Sequence, residues 1–418
     1  MTRVRSIAVA ISLALGAVVP AVTLLAPTAQ AAEQAQNKIT TKAVAVPLKA
    51  AQEAMQKKQW DVALTEIKKA AAVEKKTPFE AYQIDEFTGF VLIQQKKFGE
   101  AAPVFERMLN SGLMPPEQVD ERTKTVAQLY FQMKDYNKAA QWSKKWLDKH
   151  PNTEDMGILL GQSQYLLNDY KNAAETMKNV VNSAEKAGRK PDENWIQIVM
   201  SSYFKMEPQD KNGIGEALKK MVRYYPKPDY WENLVDIYRR KEGGDRIALG
   251  YYRLMNDVGI LKDKGDYVEM AQLAMDAGVP GEAQATVQKG MDSGVLKVAD
   301  KTEQGRYDRL LASAKKQSDL DKGSLAQQQT EAEKAGTGQV LVGLGQAYLS
   351  YGETDKAIAA LEKGIAKGGV TDADEAQLSL GMAYLKKGQK DQAREAFKKA
   401  GGKFKDLGDL WVIRTQSA

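Results

Sequence analysis

Residues 381–400 read GMAYLKKGQKDQAREAFKKA, and residues 345–364 read GQAYLSYGETDKAIAALEKG. The two segments lie 36 positions apart and share a glycine, a tyrosine three residues later and an alanine nine residues after the tyrosine. Four residues beyond the alanine each segment has a bulky apolar residue, Phe397 in the later one and Leu361 in the earlier one. Self-similarity at this period, without strand-like alternation, predicts a stacked array of antiparallel helix pairs.

Small residues in this pattern allow the two helices of a pair to approach closely. Gly381 and Ala393 are expected at the contact between the helices of the last pair. Tyr384 and Phe397 are expected to fill the space toward the neighbouring pair. A single helix pair cannot bury these rings, so the pattern requires further pairs that stack against it.

The same spacing extends through the N-terminal half of the chain. In four further segments an aromatic residue precedes the key alanine by three positions: Trp60, Phe98, Tyr136 and Tyr170 precede Ala63, Ala101, Ala139 and Ala173. From about Lys301 to Gly336 only helical periodicity survives, which we interpret as a degenerate pair. The sequence thus predicts an all-α fold, a right-handed superhelical solenoid of about ten antiparallel helix pairs.

The first 31 residues have the features of an export signal. Arg3 and Arg5 precede an apolar run at 7–26, and residues 29–31 read Ala-Gln-Ala, with small residues where a signal peptidase reads them. A transmembrane anchor is the alternative, but two prolines interrupt the apolar run. We expect a Sec-type signal peptide that is cleaved after Ala31, and a periplasmic mature protein without a membrane span.

The charge pattern gives little support for a strongly anionic partner. The chain has 60 basic and 54 acidic residues and a net charge of +6, which falls to +4 when Arg3 and Arg5 are removed. Lysine pairs such as Lys386-Lys387 and Lys398-Lys399 recur along the chain. A solvated helix face explains these pairs better than an anionic surface does. No nucleic-acid-binding motif is present, so we expect no nucleic-acid partner.

The residue inventory argues against catalysis. The chain has no cysteine, and its single histidine, His150, precedes a proline at the end of a helix pair. One histidine supports neither a Ser-His-Asp site nor a zinc site, and no glycine-rich phosphate loop is present. The sequence therefore predicts a protein that is not an enzyme and has no cofactor and no bound metal.

The pattern of Gly381, Tyr384, Ala393 and Phe397 resembles the tetratricopeptide repeat (TPR). The whole mature chain resembles periplasmic TPR proteins of proteobacteria, some relatives of which are associated with TonB-type import systems. Three segments carry this second resemblance: IDEFTG at 84–89, YYPKP at 224–228 and YLSYG at 348–352. It implies a partner in the cell envelope and no catalytic residues.

The predicted organisation has six parts. They are a signal peptide at 1–31, a flexible tether at 32–43, an N-terminal TPR-like array at 44–297, a degenerate helical repeat at 298–337, a C-terminal TPR pair at 338–407 and a capping segment at 408–418.

In TPR arrays the first helix of each pair lines a concave groove, and the resemblance extends that role to two positions of each first helix here. The residues predicted to line the groove are Gln52, Phe90, Gln128, Phe131, Gln162, Tyr165, Tyr203, Phe204, Arg239 and Arg240. A glutamine amide both donates and accepts, which matches the alternating N–H and C=O groups of an extended peptide. Aromatic neighbours would supply pockets for side chains. The alternative is that glutamine is simply a good helix former on a wet surface.

Two functions fit this pattern. The first is a periplasmic, non-catalytic scaffold or adaptor that binds peptide segments of envelope proteins in the groove. The second is a structural subunit of a cell-envelope machine, for polysaccharide export, cell wall or TonB-type import, that contacts glycan or a large complex. A pull-down from envelope extract, with and without protease treatment, separates a peptide ligand from a glycan. The sequence predicts no particular oligomeric state.

The predicted processing can be checked directly. Because the basic residues, the apolar run and the Ala-Gln-Ala site occur in the order of a cleavable signal, the mature protein should begin at Ala32 and appear in the osmotic-shock fraction. N-terminal sequencing of the purified protein measures this. A membrane-bound protein that retains Met1 would contradict the prediction.

Overall fold

The computed structural model describes residues 38–239 and 244–417, and in these ranges every regular element is a helix. The signal peptide and most of the tether lie outside the described residues. The chain divides into two compact units between Ile214 and Gly215. The helices are α1 (Lys42–Gln56), α2 (Trp60–Ala71), α3 (Pro78–Gln94), α4 (Phe98–Asn110), α5 (Pro116–Gln132), α6 (Tyr136–Leu147), α7 (Glu154–Leu166), α8 (Tyr170–Lys186), α9 (Glu193–Lys205), α10 (Lys211–Tyr224), α11 (Pro228–Arg239), α12 (Asp245–Asp257), α13 (Lys264–Asp276), α14 (Pro280–Asp292), α15 (Lys301–Lys334), α16 (Gln339–Ser350), α17 (Thr354–Lys367), α18 (Ala373–Lys386), α19 (Lys390–Lys399) and α20 (Lys405–Gln416).

The predicted all-α repeat fold is confirmed. Within the described ranges α1 to α14 and α16 to α19 follow one another as nine successive pairs, and neighbouring helices pack against each other within each unit. The final helix, α20, begins at Lys405, three residues before the predicted capping segment. None of the described helices combines the length and the apolar composition of a bilayer-spanning segment.

The stretch that we interpreted as a degenerate pair is one continuous helix, so that interpretation is wrong. Helix α15 runs for 34 residues and contains no residue with positive φ. It also contains no proline, and glutamines bond acidic residues four positions later, as Gln304 does with Asp308 and Gln327 with Glu331. Such pairs stabilise a helix, and Gly305 and Gly323 both keep helical conformation, so the chain does not reverse.

The reversal inside a helix pair depends on one turn residue. In seven pairs the residue two positions before the second helix has positive φ: Lys58, Lys96, Lys134, Asn168, Gly278, Gly352 and Gly388. The next N–H bonds a carbonyl five residues back, as from Lys97 to Leu92 and from Gln389 to Tyr384. This is the Schellman motif, which satisfies the last carbonyls of the first helix and turns the chain.

The glycines of the repeat make room for a side chain of the second helix. A Cβ on Gly345 would lie 2.6 Å from Cγ of Leu361, and a Cβ on Gly381 would lie 2.5 Å from the ring of Phe397. The same contact joins Gly89 to Phe105 and Gly161 to Met177, always 16 residues apart. We expected the small residue to let two backbones meet, but it accommodates the bulky residue of its own pair. Phe397 in turn stacks on Trp411 of α20, with ring centroids 5.3 Å apart.

Alanine substitutions at two glycines of α16, one packed and one exposed, test this packing. Gly345→Ala should lower the free energy of unfolding by about 1–3 kcal/mol, because its methyl group would overlap Leu361. Gly343 is exposed, and a methyl group added there would have no atom within 4 Å, so Gly343→Ala should raise stability by about 0.5–1 kcal/mol. Denaturant unfolding measures both. Equal effects of the two substitutions would contradict the proposed contact.

Glu80 fixes the start of the first unit. Its Oε1 accepts hydrogen bonds from the backbone N–H groups of Thr40 and Thr41, at 2.9 and 2.8 Å. Its Oε2 accepts from the Thr77 N–H at 2.8 Å and the Thr41 hydroxyl at 3.0 Å. The carboxylate therefore caps α3 and also holds the residues before α1. The predicted tether thus ends earlier than expected, since α1 begins at Lys42.

These bonds determine how Glu80 titrates. Burial raises the pKa of the Glu80 carboxyl, but the hydrogen bonds from the three threonines outweigh burial and lower the pKa from 4.5 to about 2. A carboxyl whose pKa is lowered by folding stabilises the fold above its unfolded-state pKa and loses that contribution as the pH falls.

Replacing Glu80 should therefore have a pH-dependent cost. Glu80→Gln should lower stability by about 2–4 kcal/mol at pH 7, because several bonds to a charged acceptor are lost. The difference between wild type and variant should shrink as the pH falls from about 4.5 to about 2, where the wild-type carboxylate becomes protonated. Denaturant unfolding at several pH values checks this. A difference that stays constant over that range would contradict the assigned pKa.

Candidate functional site

Eight of the predicted groove residues lie in the first unit, on the first helices of its five pairs. Gln52 lies on α1, Phe90 on α3, Gln128 and Phe131 on α5, Gln162 and Tyr165 on α7, and Tyr203 and Phe204 on α9. All are half-buried except Tyr165, which is 7% exposed. The repeat therefore places them at equivalent positions of successive helices.

The packing of the small residues orients the glutamines. Gln128 follows the fully buried Ala127, and Gln162 follows Gly161, which faces Met177 of α8. One residue step turns a helix by about 100°, because the helix has 3.6 residues per turn. Each glutamine is thus turned away from the contact with its own second helix, and its place in a groove stays a prediction.

The amides of three glutamines have no protein partner in the part of the chain that the structure describes. Gln52, Gln128 and Gln162 are half-buried, and none of them makes a hydrogen bond to a described residue. Gln346, at the equivalent position of α16, differs because its Nε2 donates to Ser379 Oγ at 3.1 Å. The three amides of the first unit can therefore serve a ligand without breaking an internal bond.

Aromatic rings beside the glutamines are held in a repeated arrangement. Phe131 lies edge-on to Tyr136, with ring centroids 5.5 Å apart, and Tyr165 lies edge-on to Tyr170 at 5.6 Å. Phe90 of α3 lies edge-on to Trp60 of α2, in the preceding pair, at 6.1 Å. The second ring is in each case the aromatic residue that opens a second helix. These contacts fix the orientation of the predicted anchors.

Tyr165 has more internal partners than its predicted role requires. Its hydroxyl lies 2.8 Å from Ser201 Oγ, and Lys205 Nζ lies 4.8 Å from its ring centroid and 5.3 Å from that of Tyr170. The hydrogen bond to Tyr165 raises the pKa of Lys205, against the opposing effect of burial. At 7% exposure Tyr165 offers little surface to a ligand and supports the wall formed by α7 and α9.

Lys205 is a residue that the groove prediction missed. Its side chain is exposed at the end of α9, where it lies over two tyrosine rings. The signal in the sequence is its position directly after Tyr203 and Phe204. Tyr203 itself packs on the first turn of α10, because a Cβ on Gly213 would lie 2.6 Å from the tyrosine ring.

The two predicted arginines lie outside this set. Arg239 belongs to the second unit, at the end of α11, and Arg240 lies outside the described residues. The Arg239 guanidinium pairs with Asp236 at 3.2 Å and Asp266 at 3.7 Å. Its charge is thus balanced by neighbouring carboxylates.

The histidine has a structural environment. Nε2 of His150 lies 2.7 Å from Asp120 Oδ2, and its ring lies 4.4 Å from that of Trp146. The two contacts hold His150, which follows α6, against α5 and α6. A side chain held in this way needs no catalytic role to explain its position.

Family comparisons match two separate parts of the chain. Residues 90–180 match a model described as anaphase-promoting complex, cyclosome, subunit 3, and residues 342–403 match the tetratricopeptide repeat. No curated protein sequence matches the chain. The second match covers the segments that carry the repeat most clearly.

Solved structures with similar helical arrangements have low sequence identity to this chain. MamA from Desulfovibrio magneticus RS-1 is 15% identical over 49% of this chain and 99% of that one, with a TM-score of 0.28. A tetratricopeptide repeat protein from Parabacteroides merdae is 14% identical over 82% and 99%, with a TM-score of 0.29. The structure described as Naa15/Naa10 bound to HypK-THB is 14% identical over 86% and 58%, with a TM-score of 0.31.

Proposed function

We propose that the chain is a protein-interaction scaffold of the tetratricopeptide-repeat type, the repeat that residues 342–403 match, and that its first unit binds an extended peptide segment along α1, α3, α5, α7 and α9. The observation that carries this proposal is that the amides of Gln52, Gln128 and Gln162 bond none of the residues that the structure describes. These glutamines occupy the same position of the repeat on α1, α5 and α7, so the stacking of the helices sets the distances between them.

The chemistry of the amides suits a peptide backbone. Each amide offers two N–H donors and one carbonyl acceptor, so a ligand with alternating donors and acceptors can bond to successive helices. Because these amides make no bond to a described residue, binding exchanges water for ligand and leaves the fold unchanged. Such a surface makes few demands on the sequence of the ligand.

The aromatic residues supply the apolar part of the proposed site. Phe90, Phe131 and Phe204 are half-buried, so each retains exposed ring surface. Phe90 and Phe131 are held edge-on by Trp60 and Tyr136, which lowers the entropy lost when a ligand side chain packs on them. Aromatic anchors of this kind contribute strongly to binding in many interfaces.

The partner is proposed to be a protein of the cell envelope. This part of the proposal rests on residues 1–31, whose basic start, apolar run and Ala-Gln-Ala site have the order of a cleavable export signal. An exported scaffold meets proteins of the envelope. The proposed function is thus a periplasmic, non-catalytic adaptor for extended peptide segments.

A paired substitution tests the peptide face. Gln128→Ala combined with Gln162→Ala should raise the dissociation constant for a partner peptide by roughly 5- to 100-fold, because two neutral hydrogen bonds are lost. The partner is obtained by co-purification from envelope extract, and its shortest binding peptide is titrated calorimetrically. The melting temperature should stay unchanged, since the amides make no bond to a described residue.

Gln141→Ala is the matched control. Gln141 is exposed on α6, the second helix of the third pair, and should not affect binding. Phe131→Leu should weaken binding because the flat ring surface is lost while an apolar residue remains. Normal binding by the double variant would contradict the peptide face, even if a partner is found.

A further inference from the structure

The second unit contains a cavity of about 610 Å³ that is partly open to solvent. Its walls come from α12, α14, α16, α18, α19 and α20, so residues from one end of this unit to the other meet around it. The volume lies within the range of about 300–1,000 Å³ that is typical of small-molecule sites.

Helix α20 closes the cavity against α12. Arg414 Nε of α20 bonds Asp257 Oδ2 at 2.6 Å, across 157 residues of chain. A Cβ on Gly250 of α12 would overlap the side chain of Leu407, so only a glycine allows α20 to pack this closely. Ser417 Oγ, just beyond α20, donates to the Val222 carbonyl at 3.0 Å. The second unit thus closes on itself.

The cavity wall carries a surplus of positive charge. Its two carboxylates are neutralised locally: Glu282 binds Arg253 through Nε at 2.9 Å and Nη2 at 2.6 Å, and Asp257 binds Arg414. Three lysines remain, Lys289, Lys386 and Lys390.

The lysines differ in how they are engaged. Lys289 Nζ donates to the side-chain carbonyl of Asn256 at 2.6 Å, which leaves its charge uncompensated. Lys386 and Lys390 form no ion pair with any described residue. Their neighbour Lys387, by contrast, binds Asp355 at 2.6 Å. The cavity therefore presents three ammonium groups that are free to neutralise an anion.

The lining also contains apolar residues. Leu385 is half-buried and offers most of this apolar surface, whereas Leu349 and Met382 are each 9% exposed and contribute only their edges. Trp411 is buried, and it stacks on Phe397 with ring centroids 5.3 Å apart. A ligand that matches the whole cavity needs an anionic group for the lysines and an apolar body for these residues. Neither an inorganic anion nor a neutral hydrocarbon satisfies both parts.

We propose that this cavity binds a small organic anion, in which a carboxylate is attached to an apolar chain or ring. The carboxylate lies among Lys289, Lys386 and Lys390, and the apolar body lies against Leu349, Met382 and Leu385. The site is independent of the peptide face of the first unit. Its ligand is a small molecule that lies in the partly open cavity of the second unit.

Fluorescence of 8-anilino-1-naphthalenesulfonate, an aromatic anion, provides the assay with the full-length mature chain. The dye should bind, and sodium octanoate should displace it at concentrations at least about ten-fold lower than 1-octanol does, because only octanoate meets the lysines. Raising the salt concentration from about 0.05 to about 0.5 M should weaken octanoate binding, since the lysines remain partly exposed.

Two variants locate the site. Lys386→Gln combined with Lys390→Gln should raise the dissociation constants of dye and octanoate by roughly 5- to 50-fold, as expected for loss of two partly screened charge contacts. Ala285→Trp should remove most of the binding, because Ala285 is an exposed position that lines the cavity and a large ring there occupies ligand space.

The matched control is Lys398→Gln combined with Lys399→Gln, which removes two exposed lysines from α19 outside the cavity lining and should leave both dissociation constants unchanged. Melting curves by circular dichroism confirm that each variant is folded. Failure of the folded wild type to bind dye and octanoate would overturn the proposal. So would equal competition by octanol, or wild-type binding by the Lys386 and Lys390 variant.

Discussion

One steric contact recurs in four of the nine helix pairs: a glycine on the first helix faces a bulky residue 16 positions later on the second. Gly89, Gly161, Gly345 and Gly381 all make this contact, and an added Cβ would overlap the opposing side chain in each case. The contact sets the distance between the two helices of a pair. It also sets their rotation, and so it turns the next residue of the first helix away from the pair.

This rotation links packing to function. In the proposed site, Gln128 and Gln162 meet the ligand because each follows a residue that packs inward: Ala127 is fully buried, and Gly161 faces Met177 of the second helix. The aromatic residue that opens the second helix has a second role, because Tyr136 and Tyr170 hold Phe131 and Tyr165 in place. A binding surface on such a scaffold is formed by residues that do not pack between the helices.

The two units use the same repeat with different results. The first unit presents helices whose amides bond no described residue, whereas in the second unit α20 packs against α12 beside a partly open cavity. The closing contacts are specific, since Gly250 admits Leu407 and Asp257 binds Arg414. The packing of α20 also gives the two lysines of one pair different environments. Lys387 is neutralised by Asp355, as expected for a solvated helix face, while Lys386 lines the cavity.

The sequence by itself determined the helix pairs, their register and the position of the predicted groove residues. These features depend on spacings within one pair, such as the step from Gly381 to Phe397, and on local turn chemistry. Tertiary structure alone decided that α15 is one helix, that Tyr165 is buried against Ser201 and that Arg239 is balanced by Asp266. It also decided the closure of the second unit. Some of its contacts join residues 129 to 195 positions apart in the sequence. Such contacts depend on small rotations that add up over many helix pairs, and the total rotation cannot be read from the spacing of residues within one pair.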